Sequence, residues 1–305
     1  MRIGELPADA LKRELAAGRL AVRTGPFGFR LRCDADRVAR GIALLYGDYP
    51  RLGDDDFCDF TLDVGRVRGL RRWIRPQVRA LYDGEPNFEP LPLGHAFPLL
   101  EWTLNWCIST HTFEYLTLHA AVVERGGRAA ILPAPPGSGK STLCAALVHR
   151  GWRLLSDEMA LVALADGRVW PLARPVSLKN ASIDVIRRFA PDAVMSEPTH
   201  DTSKGTVVHM KVPTEHVLRM DEAAAPAWIV FPRYVAGAPA QLTERSKADA
   251  MIELGQNSFN YGVLGRAGFD ALADLVTACE CADFSYGHLD DAIAVFDRLA
   301  AGAPS

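Results

Sequence analysis

Long hydrophobic runs are missing from this chain. No stretch approaches the roughly 18 consecutive apolar residues of a membrane-spanning helix, which argues against a membrane protein. The N-terminus, "MRIGELPADALKRELAAG", is a charged amphipathic helix pattern without the apolar centre of a signal peptide; the expected location is cytoplasmic. Charge of one sign is missing too. Against 34 Lys and Arg stand 37 Asp and Glu, a formal net charge of −3. That balance leaves no electrostatic footprint for nucleic acid or an anionic membrane surface. Cysteine is sparse: six residues, at 33, 58, 107, 144, 279 and 281, with no spacing that matches a zinc site. They read as reduced thiols. Internal repeats and low-complexity tracts are also lacking.

What is present is ordinary globular material, 49% hydrophobic and 23% charged over 305 residues, enough for a large core and a smaller second one. Residues 1–95 mix short helical and strand-like segments, and read as a small α+β N-terminal domain. "LAVRTGPFGFRLRCD" alternates about a Gly-Pro turn, so it predicts a hairpin. The Pro- and Gly-rich "NFEPLPLGHAFPL" reads as a linker or domain edge, which places His95 in a linker. "LLEWTLNWCISTHTFEYL" follows as a packing helix. From about residue 115 strands alternate with helices, which argues an α/β domain with a partly parallel sheet over 96–305. There "YLTLHAAVVER" reads as one apolar strand preceding the strand "RAAILPA".

"ILPAPPGSGKSTL" then runs from strand through a glycine turn into a helix. A phosphate loop needs small residues so that backbone N–H groups can curl round an anion, with a helix N-terminus aimed at it. It also needs a lysine for the phosphate oxygens and a hydroxyl for Mg²⁺. Pro136, Gly137, Ser138, Gly139, Lys140, Ser141 and Thr142 supply that pattern. Ala134 stands where the motif has glycine. The Pro-Pro pair behind it restricts Ala134 to the extended geometry that a strand end has in any case. The loop therefore predicts a purine nucleotide with Mg²⁺.

Phosphoryl transfer also needs a carboxylate, for Mg²⁺ or for the acceptor's proton. Asp157-Glu158 ends the apolar run "WRLL", 17 residues after Lys140. In a parallel sheet that strand end lies beside the phosphates. His119 precedes the loop strand in "LTLHAAV"; a structural and an active-site role weigh equally there. "WPLARPVSLKN" carries Arg174 and Lys179, cations that could clamp a phosphate or merely face solvent.

In this order, "LHAAVVERGGRAAILPAPPGSGKSTL" and "GWRLLSDE" resemble the HPr kinase/phosphorylase group of phosphate-loop kinases, over roughly residues 115–300. "EWTLNWCI", "ARPVSLKN", "KGTVVHM" and "IVFPRY" look like segments of the HprK-related kinase A subgroup. The resemblance implies a P-loop kinase core of the HPr kinase type, using ATP and Mg²⁺ to phosphorylate a serine-type hydroxyl. It implies phosphate and Mg²⁺ contacts from Gly139, Lys140 and Ser141, a base role for Asp157, metal binding by Glu158 and an active-site place for His119. Where that family has Asp-Asp, this chain has Asp-Glu. The family's Arg-Gly signature has its nearest counterpart in "TSKGTVVHMKVP", with Lys204 and His209 as acceptor or phosphate contacts. Hexameric assembly in that family makes a homo-oligomer an expectation.

The function expected is thus a kinase acting on a hydroxyl of a small protein, peptide or small molecule. The alternative is an ATP-dependent switch that regulates a partner without turnover. The reverse, phosphorylase reaction ranks below both.

Overall fold

The computed structural model describes residues 1–67, 69, 74–135 and 137–302. It is a mixed α/β protein with several sheets. Its central sheet has six strands, in the order Arg153–Ser156, Ala120–Arg125, Arg128–Pro133, Ala225–Tyr234, Glu280–Tyr286, Gln241–Glu244. The loop strand, Arg128–Pro133, is parallel to Ala225–Tyr234, which is parallel to Glu280–Tyr286. Ala120–Arg125 is antiparallel both to the loop strand and to the acidic strand, Arg153–Ser156. Two strands antiparallel to one neighbour run parallel to each other. The loop strand and the acidic strand therefore end at the same edge of the sheet, and that edge carries the site.

Alternation explains how one apolar run serves two cores. Ala130 and Leu132 of the loop strand point into the cluster that holds the loop helix, Lys140–Val148, and the C-terminal helix Leu289–Ala301. Ala129 and Ile131 point the other way, into a cluster with Leu254, Leu272 and Leu275 from helices Lys247–Gln256 and Arg266–Ala278. All four of these strand side chains are fully buried.

The run read as one strand is two. Tyr115–Leu118 and Ala120–Arg125 are separated at His119, whose N–H donates to the Asn257 carbonyl at 2.8 Å instead of to a ladder partner. The facing chain breaks at the same level. Val122 pairs with Ser156 in the central sheet, Leu118 pairs with Ala160 in a separate three-stranded sheet, and Asp157–Met159 lie between. The paired breaks fall at His119 on one chain segment and at Asp157-Glu158 on the other.

The N-terminal portion forms a seven-stranded sheet that includes the expected hairpin, Leu20–Thr24 with Phe27–Cys33. In the segment read as a linker or domain edge, burial begins at its C-terminal part. His95 is 9% exposed, and Phe97 and Leu99 are buried in the first turns of helix Ala96–His111. This helix is buried on nearly every side because it packs between the N-terminal sheet and the acidic edge of the central one.

Candidate active site

The loop strand delivers its chain to Pro135, and the loop helix begins at Lys140. Pro136 lies outside the described residues. Gly137 and Gly139 have φ of +87° and +90°, a region in which any Cβ is strained. At Gly139 a side chain would also collide, since a Cβ would lie 2.7 Å from the Tyr286 hydroxyl oxygen. That hydroxyl donates to the Gly139 carbonyl at 3.3 Å, and the Tyr234 N–H donates to the Ser138 carbonyl at 3.0 Å. Two parallel strand ends thus hold the loop from outside.

A cleft of about 1110 Å³ opens above it. Gly137, Ser138, Gly139, Lys140, Ser141 and Thr142 line it, together with His119, Glu158, Lys179 and Lys204. Ten of the residues singled out in the sequence therefore meet in one place. Lys140 is 8% exposed, and its ammonium has no hydrogen-bond partner among the described residues. Burial lowers its pKa against the opposing pull of Asp157 and Glu158. His119 is depressed to about 4 by burial and by Lys140, so it is neutral at pH 7.

The two carboxylates separate in role. Glu158 accepts from Lys179 Nζ at 3.3 Å and from Asn105 Nδ2 at 2.9 Å. Burial alone would raise it, but Lys179, Lys204 and Lys140 together hold it near 2. Asp157 is 4% exposed and is pushed up to about 6 by burial and by Glu158. Its Oδ2 accepts the Ser177 N–H at 3.1 Å, while Oδ1 has no hydrogen-bond partner among the described residues.

Asp157 does not line the cleft. With Arg174 and His209 it lines a small cavity of about 20 Å³ behind the cleft, and Glu158 and Ser177 line both spaces. Arg174 and His209, weighed in the sequence as phosphate contacts, line this inner cavity and not the cleft. Arg174 is 7% exposed, lies 3.7 Å from Glu101 and donates to Asn105 Oδ1. His209 is 2% exposed, edge-on to Phe97, and lowered to about 3 by burial. Both serve the interior, because their positions fall on the inner faces of their segments.

No protein-family model matches the chain, and no curated protein matches it. Solved structures do match the chain. The Hpr(Ser) kinase/phosphatase from Coxiella burnetii is similar at 12% identity over 61% of this chain and 99% of that one, with a TM-score of 0.28. At that level the roles of residues rest on the geometry of this chain alone.

That geometry includes residues the motifs did not indicate. Tyr286 carries no local signature, and Asn105, Ser177 and Tyr234 lie in "EWTLNWCI", "ARPVSLKN" and "IVFPRY", segments that assigned them no role. Asn180, Arg188, Phe189, His288 and Asp290 form the far wall of the cleft. Lys204 is held with its ammonium 5.3 Å from the centre of the Trp102 ring, an aromatic seat for a cation.

Proposed function

We propose that the chain is a magnesium-dependent kinase that moves the γ-phosphate of ATP to a hydroxyl on a small protein, peptide or small molecule. One observation carries the reading: the buried Lys140 ammonium, without a hydrogen-bond partner among the described residues, at the start of a helix behind two left-handed glycines. An unpaired buried charge is unfavourable by several kcal/mol, and an entering phosphate removes that penalty. Glu158 and Ser141 line the same cleft and fit magnesium, which takes one or two carboxylates with substrate phosphates and water completing its shell. When bound, the ion neutralises charge between the β- and γ-phosphates.

The chain's own groups do the rest. Lys140 and Lys179 line the cleft and would meet the oxygens of a bound phosphate, to which neutral His119 could donate a hydrogen bond without adding charge. Asp157 takes the acceptor's proton as the new O–P bond forms and the bond to ADP breaks. A pKa near 6 suits a base that works at neutral pH. For that step the acceptor oxygen has to arrive at the seam lined by Glu158 and Ser177, where cleft and inner cavity meet.

A second reading, an ATP-dependent switch without turnover, is favoured by one observation, the burial of Asp157 away from the cleft. Incubation with γ-labelled ATP separates the two. Under the kinase reading, Asp157→Asn binds ATP but loses transfer by about 100-fold or more, whereas Lys140→Ala loses nucleotide affinity. Undiminished transfer in Asp157→Asn overturns the base assignment, and unchanged affinity in Lys140→Ala overturns the loop reading. Nucleotide binding that alters partner capture, with no acceptor ever labelled, makes the protein a switch.

A further inference from the structure

Helix Ala96–His111 sends one amide to the carboxylate edge, and that amide separates two opposite charges. Asn105 Nδ2 donates to Glu158 Oε2 at 2.9 Å, and Asn105 Oδ1 accepts from Arg174 Nη2. Chemistry fixes this orientation: an ionised carboxylate only accepts, a guanidinium only donates, and an amide has one end for each. Behind it the chain of contacts continues inward. Arg174 lies 3.7 Å from Glu101, and Glu101 accepts from the Tyr46 hydroxyl at 2.6 Å. Glu101 and Tyr46 are 3% and 2% exposed.

Glu158 and Arg174 line the same small cavity, and Arg174 Nη1 has no hydrogen-bond partner among the described residues. With Asn105 gone, the nearest stabilising response is for Glu158 to turn inward and pair with that guanidinium. A carboxylate paired inward is withdrawn from the cleft. The amide blocks this collapse while satisfying both groups.

We propose that Asn105 is a positioning residue: it holds Glu158 turned toward the cleft, and thereby sets the affinity for the divalent ion that accompanies the nucleotide. The proposal rests on the reading of Glu158 as the metal-holding carboxylate. Groups that orient a ligating carboxylate from behind typically carry about 10- to 100-fold in metal affinity.

The test is a Mg²⁺ titration of fluorescent-ATP binding by the full chain, alongside thermal melting to verify folding. Asn105→Ala opens the path to Arg174. Asn105→Asp keeps the volume and the Arg174 contact but turns a repelling oxygen toward Glu158. Both are expected to raise the Mg²⁺ midpoint about 10- to 100-fold, with metal-free nucleotide affinity within about twofold of wild type. Glu158→Gln serves as the reference. If Glu158→Gln keeps the wild-type Mg²⁺ midpoint, the metal reading of Glu158 is lost. If Glu158→Gln abolishes the Mg²⁺ effect but folded Asn105→Asp retains the wild-type midpoint, the positioning role is overturned. Equal loss of metal-free and metal-promoted binding in Asn105→Asp also overturns it, since that marks a merely structural residue.

Discussion

Burial pushes Asp157 up to about 6, and Glu158 adds to the push against Lys140 and Lys179. The folded protein therefore favours the protonated form of a group whose proposed work requires the ionised form. The unfolded value lies near 3.9, so between about pH 4 and 6 the folded state binds more protons. Stability attributable to this group falls as pH rises through that window and is level above and below it. A shift of about two units corresponds to roughly 3 kcal/mol. Asp157→Asn keeps an acceptor for the Ser177 N–H and removes the ionisation. Calorimetry is expected to show it more stable by about 2–3 kcal/mol above pH 7, with the gain vanishing below about pH 4. A gain independent of pH would mean that burial of the charge is not its source. Together with loss of transfer, the pH-dependent gain would place the strain of the fold on its base.

At the scale of elements, the loop is held between its own glycines and two parallel strand ends. Gly139 meets a left-handed backbone, the Tyr286 hydroxyl and, at 3.1 Å, the Tyr234 Cβ, whereas among the described residues beyond its chain neighbours nothing lies within 4 Å of a Cβ at Gly137. Gly137→Ala is thus expected to lose about 1 kcal/mol, the backbone share alone. Gly139→Ala should lose more and abolish nucleotide binding. Adding Tyr286→Phe removes only the oxygen contact and leaves φ unfavourable, so the double variant stays inactive; recovery of binding in it would mean that the collision, not the backbone, matters. The same comparison shows which elements the sequence could announce. Loop, acidic pair and alternating loop strand are local patterns, and each was legible. Asn105 is 53 residues from Glu158, and Tyr286 is 147 from Gly139. Their roles arise from tertiary approach, for which no spacing rule exists. Helix Ala96–His111 is apolar on nearly every side, so periodicity could not say which face meets the site. The break at His119 depends on Asn257, supplied from far along the chain.

For the whole molecule, a division at residue 95 predicts two folding units, but the interior argues for one. A single apolar cluster runs from Ile3 through the N-terminal strands and the loop helix to Phe296. Polar links cross the same boundary. The Tyr49 hydroxyl donates to the Ala173 carbonyl at 2.7 Å. Asp48 accepts from Lys211 at 2.8 Å and from Thr214 at 2.9 Å, and Arg37 donates to the Pro198 carbonyl at 2.6 Å. Through helix Ala96–His111 the N-terminal portion also reaches Glu158 itself. We propose that residues 1–95 and 96–305 unfold as one cooperative unit and that the site exists only within it. Phe29 tests this far from the cleft, being fully buried in the N-terminal sheet. Phe29→Ala is expected to remove about 3–5 kcal/mol, giving one calorimetric transition at lower temperature, with nucleotide binding lost in that same transition. Two resolved transitions, with binding retained until the second, would show that 96–305 folds alone, and the shared core would then be an interface between two independent units.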